Sequence, residues 1–309
     1  MNAFDIIGDI HGQAEELESL LKKLGYYKLN GTYQNKDRKV IFLGDFIDRG
    51  NLQKEVIEIV RPMIDKNCAY AVMGNHEYNA ICYATHDPNG GFLRKHSDKN
   101  FNQHKAFLKA YESNLEEYQE LLEWFKKLPL WIDFGSFRVI HACWDDVEIN
   151  RILKKYKKPF LTDKFLHQST KKNNWEYQAI EILLKGKEVS LPNGESFFDK
   201  DGNERTEMRV SWWSQEVSTY RDMFLGPEDT RKLISNQKIK EDCLVGYNKE
   251  EPPVFFGHYW MSGQPAVLAT NIACVDWSVA KKKGKLVAYS WLGEKRLQDK
   301  NFSYVERND

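Results

Sequence analysis

The sequence predicts an α/β fold in which helices cover a sheet, and three observations carry this reading. In the first third of the chain, short apolar runs alternate with stretches of helical period. Each apolar run is followed at once by polar residues of the kind that do chemistry. The 309 residues, 41% hydrophobic and 13% aromatic, are also enough to bury a large core.

Taken in order, "AFDIIG" (3–8) reads as a strand, and the apolar positions of "QAEELESLLKKLGY" (13–26) recur at helical spacing until Gly25 closes the helix. "RKVIFLG" (38–44) is a second strand, "LQKEVIEIVRPMIDKN" (52–67) a second helix and "AYAVMG" (69–74) a third strand. The carboxyl ends of strands in such a sheet form the ligand crevice, so the polar segments "DIHG", "DFIDRG" and "NHEYNA" converge on one place. Residues 99–127 carry apolar positions three and four apart, which predicts two helices packed on the sheet. "LPLWIDFGSFRVIHACW" (128–144) gives two strands around a turn at Gly135 and Ser136, the second ending at His141.

Residues 145–208 are Lys-rich and weakly patterned, with short helices near 147–157 and 174–185; they read as a cap-like insertion within a single domain of residues 1–309. The last third returns to strands in "PVFFGHYW" (253–260), "PAVLAT" (265–270), "IACVDW" (272–277) and "KLVAYSWL" (285–292). "KKKGK" (281–285) is the tip of a hairpin, its lysines also discouraging edge-to-edge association.

Forty-five basic residues balance forty-five acidic ones, so net charge argues for neither a nucleic-acid nor a membrane partner. The cysteines Cys68, Cys82, Cys143, Cys243 and Cys274 are odd in number and form no C-x-x-C pair, which suits scattered reduced thiols in a cytosol. The N-terminus runs straight into a strand without a basic leader, and no apolar run approaches the roughly 18 residues a membrane span needs. A cytoplasmic protein is expected.

Five segments concentrate the chemistry: "GDIHG" (8–12), "GDFIDRG" (44–50), "GNHE" (74–77), "IHAC" (140–143) and "FGHYW" (256–260). They supply Asp9, His11, Asp45, Asn75, His141 and His258, a mixed oxygen and imidazole set suited to transition metals rather than calcium. A carboxylate such as Asp45 can bridge two cations, and each cation lowers the pKa of a bound water toward neutrality. A departing alkoxide needs a proton, which His76, beside Asn75, is positioned in sequence to give. Arg49 has the planar fork that grips two phosphate oxygens.

In order and spacing these segments resemble the calcineurin-like metallophosphoesterases, in particular the phosphoprotein phosphatase branch with its GDxHG, GDxxDRG and GNHE signatures and two later histidines. The resemblance covers residues 5–80, 138–143 and 254–260. It implies a four-layer α/β/β/α sandwich of two mixed sheets, and two divalent ions, manganese first and iron, zinc, cobalt or nickel as alternatives. It implies that Asp9 and His11 bind one ion, that Asp45 bridges, and that Asn75, His141 and His258 hold the other. Asp48 matches the acid that orients the catalytic histidine. Arg209 in "MRVSWW", ahead of its neighbours Arg205 and Arg221, is the candidate second arginine that grips phosphate together with Arg49 and Asn75. Phosphomonoester hydrolysis would proceed by direct attack of a metal-bridging hydroxide, without a phosphoenzyme.

Substrate is less determined than chemistry. A phosphoprotein or small phosphorylated metabolite comes first. "FGHYW" is also similar to the symmetrical diadenosine tetraphosphate hydrolases, so a dinucleoside polyphosphate or a polynucleotide end is the alternative, with spare tryptophans available for stacking. Cys143 stands where the family usually has glycine, and Tyr259 where many protein phosphatases have threonine. No G-x-x-x-x-G-K-[ST] loop occurs, which excludes a fused kinase of that type. An inactive metal-binding scaffold is disfavoured, because such a module has no physical need for six ligand-type residues plus His76, Asp48 and Arg49. "DKDGNE" (199–204) reads as a turn, the basic stretch 151–172 as a solvated surface, and His86, His96, His104 and His167 as surface residues outside the motifs.

Overall fold

The computed structural model describes residues 3–198, 202–214, 217–240 and 246–308. Two mixed sheets lie face to face. The larger has the order β14-β15-β1-β4-β5, with β16 added beside β15. Its strands are β1 (Ala3–Ile7), β4 (Arg38–Phe42), β5 (Ala69–Ala71), β14 (Asp276–Trp277), β15 (Lys285–Trp291) and β16 (Phe302–Glu306). β1, β4 and β5 run parallel, whereas β15 is antiparallel to β1, β14 and β16. The smaller sheet has the order β13-β12-β7-β6, from β6 (Trp131–Asp133), β7 (Arg138–Ile140), β12 (Val254–Phe256) and β13 (Ile272–Cys274).

Side-chain parity explains the layering. Phe4 and Ile6 of β1, Ile41 of β4, Val139 of β7, Phe255 of β12 and Ala273 of β13 share one core between the sheets. The alternate residues Ile7, Phe42, Ile140, Phe256 and Cys274 belong to a second core beneath the helices. That core takes in α1 (Ala14–Lys23) and α2 (Gln53–Asp65) through Leu17, Leu20, Val56 and Val60. It continues through α3 (Asn75–Ala84), α4 (Asp98–Tyr111) and α5 (Leu115–Phe125). Helices outside and two mixed sheets inside give the expected four layers.

The Lys-rich stretch supplies α6 (Asp146–Tyr156), α7 (Asp163–Ser169) and α8 (Trp175–Lys185), whose Ile152, Phe165, Ile180 and Leu184 join the main core. A smaller apolar cluster follows, running from Val189 to Ile239 and built around Met208, Val210 and Phe224. It carries the short ladders of β8 (Glu188–Ser190) with β11 (Glu207–Arg209), and β9 (Phe197–Phe198) with β10 (Glu204–Arg205).

Several elements differ from the sequence reading. "PAVLAT" is not a strand: it bends back on β13 through an isolated bridge of Ala269 to Ile272, and Val267 N–H donates to Asp299 rather than to a ladder. "IACVDW" is two strands in two different sheets, split at Val275. The hairpin of β2 (Tyr27–Leu29) and β3 (Thr32–Gln34), the helix α7 and the half-buried β16 lack a strong period and were not expected. "KKKGK" does join β14 to β15, yet Lys285 is buried and donates to Gly263 O, and Lys281 lies over the Trp260 ring. Asp199, Lys200 and Asp201 of "DKDGNE", and Cys243, lie outside the described residues. The other four cysteines are unpaired thiols, and among the described residues no helix is long and apolar enough to cross a membrane.

Candidate metal centre

Every motif leaves a strand at its carboxyl end: Asp9 and His11 after β1, Asp45, Asp48 and Arg49 after β4, Asn75 and His76 after β5, His141 after β7, and His258 after β12. Backbone bonds lace the first two loops together. Ile10 N–H and His11 N–H both donate to Asp45 O at 3.0 and 2.8 Å, and Gly12 N–H donates to Phe46 O at 2.8 Å. Glu77, fully buried at the start of α3, accepts from the N–H groups of Asp45, Phe46 and Gly74 and so ties the second loop to the third. Glycine is required where backbone approaches ligand. A Cβ on Gly74 would stand 2.3 Å from Asp45 Oδ1, and one on Gly257 2.2 Å from Asp9 Oδ1.

The loops are held in costly conformations. His11, Asp45, Asp48, Arg49, His258 and Trp260 all have φ between 49° and 70°, the left-handed region that residues with a Cβ avoid. Such outliers, clustered at one place, are the mark of a functional constraint.

Hydrogen bonds fix which ring nitrogens face inward. His11 Nδ1–H donates to Ile47 O at 3.0 Å, and His141 Nδ1–H to Leu43 O at 2.6 Å, since a carbonyl can only accept. In the neutral rings both Nε2 atoms then offer lone pairs to the centre. His141 Nε2 meets two more acceptors there, Asn75 Oδ1 at 3.1 Å and Asp45 Oδ1 at 3.5 Å. His11 Nε2 lies 3.6 Å from Asp45 Oδ2 and 4.0 Å from Asp9 Oδ2. His258 N–H donates to the Asp9 carboxylate, while its own Nε2 is buried without a hydrogen-bond partner.

Acceptors facing acceptors in a buried space repel, and a cation is what reverses the sign. Two overlapping groups have the spacing for one: His11, Asp45 and His76, and Asp45, His141 and His258, each with donor atoms within 4.8 Å of one another. Asp45 belongs to both, as a bridging ligand must. The electrostatics agree. Burial, then the neighbouring carboxylates Asp276 and Asp45, push the Asp9 carboxyl well up; burial and Arg209 push His258 down; burial and His76 bring His11 to about 3. The residues present therefore fit a pair of divalent ions.

His76 is held differently. Its Nδ1 is 2.5 Å from Asp48 Oδ2, and its Nε2 faces Asp45 at 3.9 Å. Burial disfavours its charged form, but Asp45 and Asp48 outweigh burial and raise its pKa. The sequence reading of His104 was wrong. It is buried, 1% exposed, and its Nδ1 lies 2.9 Å from Asp48 Oδ1, so that Asp48 stands between two imidazoles. His104 reaches there because α4 turns His104, Phe107 and Tyr111 inward at helical spacing. Asp276 was also missed: it accepts the N–H groups of Trp260 and Ser278 and shapes the loop after His258.

Arg49 lies over the Trp260 ring, 4.0 Å from its centroid, and Lys281 lies over the same ring at 4.1 Å. Trp212 and Trp213 are buried in the core, and none of these three tryptophans is free to stack a base. Arg209 lies 5.9 Å over Tyr259, next to His258, and its Nε is buried without a partner. Its competitors point elsewhere: Arg205 pairs with Glu188, and Arg221 donates to Ile234 O. Beyond His76 a cleft of about 770 Å³ opens between α3, α4, α7 and α8, lined by Asp48, Arg49, Asn75 and Arg94 among others.

A two-sheet sandwich with this centre on its crest is the architecture of a metallophosphoesterase, and the profile of the calcineurin-like phosphoesterases matches residues 3–259; the chain belongs to that family. Among curated relatives, an asymmetrical bis(5'-nucleosyl)-tetraphosphatase PrpE of Oceanobacillus iheyensis is 34% identical over 139 residues, 45% of this chain and 54% of the relative. Its namesake in Halalkalibacterium halodurans is 49% identical over 74 residues, 24% of this chain and 30% of that protein. The match thus spans about half of one relative's length and under a third of the other's. In fold, the chain is similar to a serine/threonine phosphatase of Saccharomyces cerevisiae, with a TM-score of 0.53 at 15% identity over all of this chain and 80% of that one. A cold-active protein-tyrosine phosphatase of a Shewanella species gives 0.51 at 16% identity, over all of this chain and 81% of that one.

Proposed function

We propose that residues 1–309 act as one dinuclear metallophosphoesterase domain that hydrolyses phosphate esters in the cytoplasm. The carrying observation is the ring of inward lone pairs from His11, His141 and His258 around the shared carboxylate Asp45. Asp9, His11 and Asp45 would hold one divalent ion, and Asp45, Asn75, His141 and His258 the other. Bound ions supply Lewis-acid polarisation of the phosphoryl group and activation of water near neutral pH.

The chain's own groups do the rest. Arg49 is kept in place by Trp260 and presents its fork to the phosphate oxygens, with Arg209, beside His258, and Asn75 as further contacts. His76, charged more readily than a free histidine, delivers its Nε2 proton to the leaving oxygen. Asp48 accepts from Nδ1, fixing the tautomer, and His104 holds the other carboxylate oxygen so that the plane of Asp48 is set.

Hydrolysis of p-nitrophenyl phosphate with Mn²⁺ tests this reading. Asp45→Asn should lose metal and activity together, whereas His76→Asn should keep metal and lose turnover; equal metal loss in both would overturn the assignment. A second reading, cleavage of dinucleoside polyphosphates, draws support from the PrpE relatives, which are bis(5'-nucleosyl)-tetraphosphatases. Diadenosine tetraphosphate set against phosphopeptides and 3′-phosphorylated oligonucleotides separates the two.

A further inference from the structure

The cleft beyond His76 has a charge pattern that the centre itself does not need. Arg49, Arg94, Lys95, Lys99, Lys172 and Lys185 line it, against the acids Asp48 and Glu181. Both acids are already engaged, Asp48 by His76 and His104, and Glu181 by Lys185. Among the described residues Arg94, Lys95, Lys99 and Lys172 have no ion pair with a carboxylate.

Arg94 differs from the lysines. Lys95, Lys99 and Lys172 are exposed and form a solvated rim, but Arg94 is partly buried, and its Nη2 donates to two neutral amides, Asn100 Oδ1 at 3.1 Å and Gln103 Oε1 at 2.7 Å. Both amides come from α4, the helix that also delivers His104. Its backbone N–H is fixed as well, on Cys82 O of α3 at 3.0 Å. Neutral acceptors orient a guanidinium without cancelling its charge, and the two acids whose fields reach Arg94, Asp48 and Glu181, make no direct contact with it and are engaged by other cations. The same contacts tie the loop after α3 to α4 and leave a fixed guanidinium facing the cleft.

We propose that this cleft is a second anion site, with Arg94 at its floor and Lys95, Lys99 and Lys172 at its rim, that takes the phosphate next to the one being cleaved. Preferred substrates are then chains of two or more phosphates rather than isolated monoesters. The proposal rests on the phosphoesterase reading above. As the oxygen of water bonds to the phosphorus held at the centre, the bridging P–O bond breaks and its electron pair leaves with the rest of the chain, while the proton lost by the water passes to solvent or, through His76, to the leaving oxygen. That negative charge develops on a phosphate beside Arg94, where the guanidinium stabilises it.

The test compares Arg94→Gln with the wild type on three substrates: p-nitrophenyl phosphate, inorganic tripolyphosphate and diadenosine tetraphosphate. The expected result is a loss of about tenfold or more in kcat/KM on both phosphate chains, with less than about twofold change on p-nitrophenyl phosphate. Arg94→Lys, which keeps charge but not the fork, should fall between, and Lys99→Glu with Lys172→Glu on the exposed rim should weaken tripolyphosphate without disturbing the fold. An equal loss on all three substrates, or no loss on tripolyphosphate, overturns the proposal. A loss confined to diadenosine tetraphosphate also overturns it, because the contact would then be to a nucleoside. Calorimetric binding of tripolyphosphate to metal-free protein separates this site from the centre. If the wild type cleaves nothing with Mn²⁺ but binds tripolyphosphate in an Arg94-dependent way, the phosphoesterase reading fails and the anion site stands.

Discussion

Replacing His104 by leucine removes one of the two imidazoles that hold Asp48 while preserving most of the volume packed against Phe107 and Tyr83. Asp48 is 2% exposed, so no water substitutes for the lost 2.9 Å bond to Oδ1. A hydrogen bond to a buried charged group is worth about 1.5–3 kcal/mol, which bounds the effect on stability. It bounds the effect on rate too, because only the part that misaligns His76 reaches the leaving group. Taking the lower end, about 1.5 kcal/mol, turnover should fall slightly more than about tenfold on an alkyl phosphate, whose alkoxide must be protonated. On p-nitrophenyl phosphate, whose leaving group departs unaided, the fall should be about threefold or less. His104→Asn should recover most of the loss, since its side-chain amide can donate where Nδ1–H does. The assay is a leaving-group series of aryl and alkyl phosphates with Mn²⁺, alongside urea unfolding. If His104→Leu loses stability but keeps the wild-type dependence on leaving group, His104 only packs, and the positioning argument is refuted.

Three further outcomes follow from the geometry. Gly257→Ala places a methyl group 2.2 Å from Asp9 Oδ1 and should abolish metal uptake, read by metal analysis, while the sheets still form. Asp5, fully buried on β1, accepts from Arg38 Nη2 at 2.7 Å, Tyr26 Oη at 3.0 Å and Ser290 Oγ at 2.6 Å; Asp5→Ala should cost about 3 kcal/mol in urea unfolding and leave metal affinity unchanged. Burial and Asp45 push Glu77 up to about 7, and Asp9 is raised by burial, Asp276 and Asp45. A carboxyl raised by folding stabilises the metal-free fold below its unfolded pKa and withdraws that support as pH rises through the folded value. A cation must displace those protons, so the rise in Tm on adding Mn²⁺ should grow between about pH 5.5 and about pH 8, and a rise that shrinks would contradict it.

What the sequence revealed and what it hid divide along contact range. Asp9, His11, Asp45, Asn75, His141 and His258 were legible because each follows its strand within a few residues, and a strand end is a local pattern. A sheet covered by helices was legible from short apolar runs alternating with helical periods, whereas the four layers came from the family resemblance, since Phe4, Asp5, Ile6 and Ile7 are all buried and show no polar alternation. His104 and Arg94 were hidden. His104 meets Asp48 across 56 residues, and nothing in "NQHKAF" distinguishes it from a surface histidine except Phe107 three positions on and Tyr111 seven on. Asp276 was read as part of one strand because "IACVDW" is uniformly apolar around it, and only pairing in space divides Cys274 from Asp276. "GNHE" was recognised as chemistry, yet the helix it opens was not, since its first turn is polar and its moment weak.

The order of strands in the larger sheet has a consequence for how the molecule is born. β1 lies between β4, which follows it closely in the chain, and β15, which begins at Lys285. At about 5–20 residues per second, a ribosome finishes β15 roughly 15–60 s after β1 has been made. Through that interval the nascent β1 has one neighbour and one bare edge, and Asp9 and His11 hang from a strand that is only half enclosed. His258 and Asp276 arrive late as well. The ligand set is therefore assembled only after His258 has been made, and until β15 follows, β1 keeps one open edge.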